Sequence, residues 1–154
     1  MNWKEENSEA IPREPIFQGF FGGGFECSTH LVRNGRRLDL VGATQHDKFA
    51  LPDYQRLKKQ GLRVAREGLR WHLVEAERGQ YDFSTALPIV RAARVTGTQV
   101  IWDLCHFGWP DHLDIFKPEF VSALGSYAAA FAKWLANETG GPGFFVPVNE
   151  ISYF

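Results

Sequence analysis

Four short β-rich runs alternate with longer helical patterns from residue 16 onward. Each connection holds one helix and the runs start about 40 residues apart, which together predict an α/β fold built on a parallel sheet. Strand–helix–strand connections within one sheet are right-handed almost without exception, so the units wind in a single direction. Four such βα units are the N-terminal half of a TIM (β/α)8 barrel, whose full chain runs to about 250 residues.

The first strand is expected over residues 20–26, F-F-G-G-G-F-E, where glycines allow another backbone or side chain to come close. A long loop carrying the turn signal Asn34-Gly35 follows. A helix is then expected over residues 51–60, with Pro52 in its first turn and Gly61 just past its end. The second strand spans residues 63–69. The segment G-Q-Y-D-F-S leads into a helix over residues 85–95 that carries Pro88 in its first turn and is stopped by Gly97.

The third strand, residues 99–106, is apolar on both faces, as a parallel strand covered on both sides requires, and its lone Asp103 is an exception. An alanine-rich helix over residues 118–137 places Phe120, Leu124, Tyr127, Phe131, Trp134 and Leu135 at helical spacing, which marks its core face. Gly140, Gly141, Pro142 and Gly143 break the chain before the fourth strand, residues 144–148.

Residues 1–15 are polar and charged, with two prolines, and read as a flexible tail with neither the basic start nor the apolar stretch of a secretory signal. Residues 16–154 form the half-barrel domain, which is expected to stop after its fourth strand. The 154 residues are 44% hydrophobic, enough for a core. With 17 basic and 18 acidic residues spread along the chain, there is no electrostatic footprint for nucleic acid or an anionic membrane. No apolar run approaches the ~20 residues of a transmembrane helix. A cytoplasmic protein acting on a neutral substrate is expected. Cys27 and Cys105 fall on the first and third strands with another strand between, so packed thiols are expected rather than a disulfide. His30, His46, His72 and His112 lack the tight spacing with Asp or Cys of a metal site, and no metal or other cofactor is implied.

In a barrel of parallel strands the functional side chains gather at the C-terminal strand ends. Polar residues collect there: Glu26 after the first strand, Arg66 to Arg70 on the second, His106 after the third, and Asn149-Glu150 after the fourth. The run V-P-V-N-E, ending at Glu150, resembles the end of strand four in clan A glycoside hydrolases. Arg66 and Trp71 in R-E-G-L-R-W resemble the R-x-x-x-x-W of family 1 β-glucosidases, and His106 and Pro110 in H-F-G-W-P are similar to their H-W-x-x-P. The first strand departs from that family's glutamine-bearing pattern and has Glu26 nearby instead.

The resemblance implies a retaining β-glycosidase. Such an enzyme needs one carboxylic acid to protonate the leaving oxygen and a second carboxylate about 5–5.5 Å away. By resemblance Glu150 is the general acid/base, its neutral form favoured by burial and by the second carboxylate. Asn149 would contact the sugar 2-hydroxyl, His106 and Glu26 other hydroxyls, and Trp109, with Trp102 or Phe107, a sugar face. Asn149 and Glu150 can both reach the mouth only if the strand end is bent, since neighbours on a regular strand face opposite ways.

Arg66 would lie inside the barrel and pair with the nucleophile, which the family carries on strand seven; pairing with the adjacent Glu67 or another carboxylate on the surface is the plainer alternative. With no carboxylate assignable to the nucleophile's place, the chain is expected to be inactive alone and to associate with a C-terminal half or a second copy of itself. The alternative is a carbohydrate-binding or assembly protein without catalysis.

Overall fold

The computed structural model describes residues 15–153. The expected tail therefore lies, apart from Pro15, outside the described residues.

Four parallel strands, β1 (Gly22–Gly24), β2 (Val64–Gly68), β3 (Gln99–Asp103) and β4 (Phe144–Val146), form one sheet in the order β1-β2-β3-β4. The helices are α1 (Leu40–Ala43), α2 (His46–Lys59), α3 (Trp71–Val74), α4 (Leu87–Thr96) and α5 (Pro118–Thr139). All four expected strands form, each shorter than its apolar run, and α4 and α5 sit within two residues of their expected limits. The single-turn helices α1 and α3 have no counterpart in the sequence reading.

Helix α2 starts five residues before the expected Leu51, and the reason is a kink: Phe49 leaves helical geometry (φ −110°, ψ 20°) inside it. Pro52 donates no backbone hydrogen bond, and its ring crowds the carbonyl four residues earlier. The helix therefore breaks at Phe49, and Pro52 falls in the first turn of the second segment. This segment packs on the sheet so closely that a Cβ at Gly23 would stand 2.7 Å from Leu57 Cδ2.

In a parallel sheet, paired residues share a face. The registers Arg66↔Ile101↔Phe144 and Gly68↔Asp103↔Val146 therefore put Arg66 and Asp103 on one face, while Glu67↔Trp102↔Phe145 lies on the other. The second face carries the helices. There Trp102 packs edge-on to Phe131 of α5, Trp71 stacks on Tyr127 with ring centroids 4.7 Å apart, and both tryptophans are buried. Of the expected α5 stripe, Phe120, Tyr127, Phe131 and Leu135 are buried, and Leu124 and Trp134 pack at its margin. The first and last strands each pair on one side only among the described residues. No helix among the described residues is long and apolar enough to cross a membrane.

Candidate functional site

Hydrogen bonds continue past the C-terminal strand ends and hold the loops in register. Phe25 N donates to Arg66 O, Leu69 N to Asp103 O, Leu104 N to Val146 O and Asn149 N to Cys105 O, all at 2.9–3.1 Å, and Thr29 N donates to His106 O at 3.2 Å. Above this edge lies a cavity of about 760 Å³. Glu26, Arg66, His106, Trp109, Asn149 and Glu150, all expected at the mouth, line it.

Strand β4 ends at Val146, so Asn149 and Glu150 sit in the turn that follows, not on a strand. Glu150 takes a left-handed backbone (φ 43°), and this bend brings two consecutive side chains to one cavity. Asn149 is buried and Glu150 is exposed. The burial expected of Glu150 is not found, because it stands beyond the sheet's edge strand, where no described element packs over it.

Arg66 pairs with a carboxylate other than Glu67, and a buried one. Its Nη2 donates to Asp103 Oδ2 and, at 2.6 Å, to Asn149 Oδ1. Glu67, one residue on, points to the helical face, where its Oε1 is 3.0 Å from Nε2 of the buried His46. Burial opposes charge on that imidazole, but the hydrogen bond and charge of Glu67, joined by Asp53 at 2.9 Å from Nδ1, outweigh it and raise its pKa. The same alternation takes Trp102 into the core, away from any ligand, while Phe107, in a left-handed conformation (φ 59°), lines the cavity.

Asp103 is fully buried on the cavity face of β3 and is the residue the motifs missed. The signal was its charge within an otherwise apolar strand, since a buried carboxylate requires a cation or several donors. Besides Arg66 it meets His106, whose Nδ1 is 2.9 Å from Oδ2. On the other side of His106, Asn149 Nδ2 is 3.3 Å and Glu26 Oε1 3.9 Å from Nε2. Glu26, half exposed, also accepts from Ser28 N at 2.9 Å.

Cys27 Sγ lies 3.2 Å from His106 Nδ1. It rests over β2, where a Cβ on Gly68 would come within 2.3 Å of it. Burial, followed by the charges of Asp103 and Glu26, pushes this thiol up to about 12, so it is protonated at neutral pH and is no nucleophile. Cys27, Asp103 and His106 offer sulfur, oxygen and nitrogen within 4.8 Å of one another, a donor set that histidine spacing in the sequence does not reveal. Arg66 already pairs with Asp103, and the 2.9 Å contact of Asp103 with His106 has the length of a hydrogen bond, so Asp103 Oδ2 is held from two sides, while Asp103 Oδ1 is buried with no hydrogen-bond partner among the described residues. Both cysteines are free and buried, in agreement with the expectation of packed thiols.

The loop after β1 forms a second wall that the sequence did not reveal. Gly35, with φ 78°, turns a short hairpin in which Leu31 bridges Arg37. Arg37 donates to Thr29 O at 2.7 Å and Trp109 O at 3.2 Å, and pairs with Asp111, tying this hairpin to the loop after β3.

No protein-family model matches the chain, and no curated protein sequence matches it. Solved structures do. An exo-β-1,4-mannosidase, Op5Man5 from Opitutaceae bacterium strain TAV5, is similar with a TM-score of 0.66 at 16% identity, over 86% of this chain and 25% of its own. A β-glucosidase from Thermotoga maritima, in complex with a methoxycarbonyl-substituted glucoimidazole, is similar with a TM-score of 0.53 at 15% identity, over 91% of this chain and 38% of its own. The fold is that of a partial TIM barrel. This partial barrel spans a quarter to under two-fifths of the length of those two glycosidase chains, and at such identities the likeness concerns architecture alone.

Proposed function

We propose that these four βα units are the N-terminal half of a retaining β-glycosidase barrel, β-glucosidase-like in substrate class, with Glu150 as general acid/base. The observation that carries this reading is the convergence of Asn149, His106 and Arg66 on one hydrogen-bonded cluster beside Glu150 in a single large cavity. A carbohydrate is the ligand such a surface suits: fixed donors and acceptors for hydroxyls, with the rings of Trp109 and Phe107 in the cavity lining. Asn149 holds the sugar 2-hydroxyl, and His106 and Glu26 take its neighbours.

The second carboxylate comes from a complementary half, continuous with this one or separate, or from a second copy. An exposed Glu150 fits this arrangement, since the complement would cover it and set a second carboxylate opposite it. The exposure equally favours a second reading, a carbohydrate-binding protein without catalysis.

Incubation with aryl β-glycosides separates the two. The 154-residue chain is expected to bind them with negligible turnover, and turnover should appear when the other four units are supplied and vanish with Glu150→Gln. Binding that never becomes turnover would select the binding protein. Appreciable turnover by the chain alone would overturn the division of carboxylates between halves.

A further inference from the structure

Four side chains from or just beyond three strands close a ring at the cavity floor. Asp103 Oδ2 accepts from Arg66 Nη2, Arg66 Nη2 donates to Asn149 Oδ1, Asn149 Nδ2 faces His106 Nε2, and His106 Nδ1 faces Asp103 Oδ2. The chemistry of the four groups assigns the protons. A guanidinium only donates and a carboxylate only accepts, so the Arg66 contacts are fixed. Since Arg66 takes the carbonyl oxygen of Asn149, the amide NH2 is what faces His106, and it too only donates. Nε2 therefore accepts at that contact, the Glu26 carboxylate at 3.9 Å being beyond hydrogen-bond reach, and Nδ1 donates to the charged Asp103 carboxylate at 2.9 Å rather than accepting from the weaker Cys27 thiol at 3.2 Å. The two ends of the imidazole give the same answer: its proton is on Nδ1. Reversing the imidazole tautomer would set N–H against N–H at Asn149, and flipping that amide to relieve the clash would set NH2 against Arg66.

We infer that Asp103 is a positioning residue that fixes the His106 tautomer through Nδ1 and the Asn149 amide through Arg66, and so decides which polar atoms the cavity offers to a ligand's hydroxyls. A buried ion pair adds little stability, because desolvation offsets its attraction, but it does hold its partners in one geometry. Asp103 is fully buried beneath the cavity face and touches the ligand-facing groups without itself lining the cavity. Loss of the carboxylate removes the acceptor at Nδ1 and one of the two anchors of Arg66, so only the Asn149 amide, less firmly held, still opposes a proton on Nε2, and a hydroxyl meets donors and acceptors in a less fixed order. That the ligand is a sugar rests on the hydrolase reading above; the proton arrangement does not.

Long-range proton–nitrogen correlation spectra of the isotopically labelled 154-residue chain read the tautomer directly, with His106→Gln assigning the signal. The expected result is a single tautomer with the proton on Nδ1. An Nε2–H form, or a mixture, in the unmutated chain overturns the proposal without any variant having to fold. In Asp103→Ala the preference is expected to weaken to a detectable mixture, since only the Asn149 amide then opposes a proton on Nε2, and in Asp103→Asn, whose carbonyl can still accept from Nδ1, it should partly return; an unchanged single tautomer in a folded Asp103→Ala chain also overturns the proposal. Titration of the same samples with an aryl β-glucoside tests the ligand separately. Asp103→Ala should weaken binding about tenfold, with Asp103→Asn recovering part of the loss. Absence of binding to the unmutated chain would count against the hydrolase reading and leave the tautomer result to stand by itself.

Discussion

Arg66 on β2 donates to Asn149 Oδ1 at 2.6 Å, reaching a residue beyond β4 across the intervening β3, where Asp103 anchors the same Nη2. Lysine at this position would keep the charge but lose the flat, fixed Nη2 whose two hydrogens are aimed at the two acceptors. Arg66→Lys is therefore expected to fold and to bind aryl β-glycosides at least about tenfold more weakly, as read by calorimetric titration. Unchanged affinity would show that Asn149 needs no help from Arg66.

Glu150 is exposed and lies past the last strand, so its carboxylate contributes little to the fold. Glu150→Gln should leave urea-unfolding stability within about 0.5 kcal/mol of the unmutated chain. A larger loss would mean that the residue serves structure, which would weaken its assignment as acid/base.

The thiols of Cys27 and Cys105 are each pushed up to about 12, mainly by burial. Both are expected to resist iodoacetamide near pH 8 in the folded chain and to react on unfolding, as mass spectrometry would count. The linkage has a definite sign. An acid whose folded pKa lies above its unfolded value of 9.0 gives stability that is complete below 9.0 and is lost as pH rises toward 12. The midpoint of thermal unfolding should fall across that alkaline window, and less so in Cys27→Ala.

His46 is held between Asp53 and Glu67 and stacked on Phe25 at 3.8 Å. Its folded pKa is raised above the ordinary 6.5, so its protonation stabilises the fold fully below 6.5, and that contribution disappears as pH climbs through the raised value. The stability gap between the unmutated chain and His46→Gln should be wide at pH 5 and narrow with increasing pH. A gap that widens instead would show that the imidazole is buried without its proton.

Trp71 is fully buried against Tyr127 and donates from Nε1 to Glu75 Oε2 at 2.8 Å. Trp71→Ala removes this ring and orphans the buried carboxylate oxygen, a loss of about 3–5 kcal/mol in chemical denaturation. The tryptophan of R-x-x-x-x-W here belongs to the core, with its arginine in the cavity.

Much of this arrangement was legible in the sequence. Strand ends can be read from apolar runs and helix stops from Gly97 and Gly140, and strand ends that open on one side bring Glu26, Arg66, His106, Trp109, Asn149 and Glu150 to a common cavity. The pairings inside that cavity were not legible, because they join residues far apart in the chain: Arg66 meets Asp103 over 37 positions and Cys27 meets His106 over 79. The helices α1 and α3 are single turns, too short for periodicity to register. For Trp102, composition leaves open a place in the core or on a sugar face, and strand parity decides for the core: it pairs with Glu67, on the helical face, and not with Arg66.

The same parity makes β2 intolerant of a frame slip. Arg66 and Glu67 are adjacent in sequence and serve two charge clusters on opposite faces of one sheet, Asp103 on one side and His46 on the other. Inserting or deleting a single residue within β2 would exchange them, driving a guanidinium in among the helices beside His46 and setting a carboxylate against Asp103. Both clusters would then hold like charges. Insertions and deletions are accordingly expected to be tolerated in the loops and not within the strand that carries the arginine.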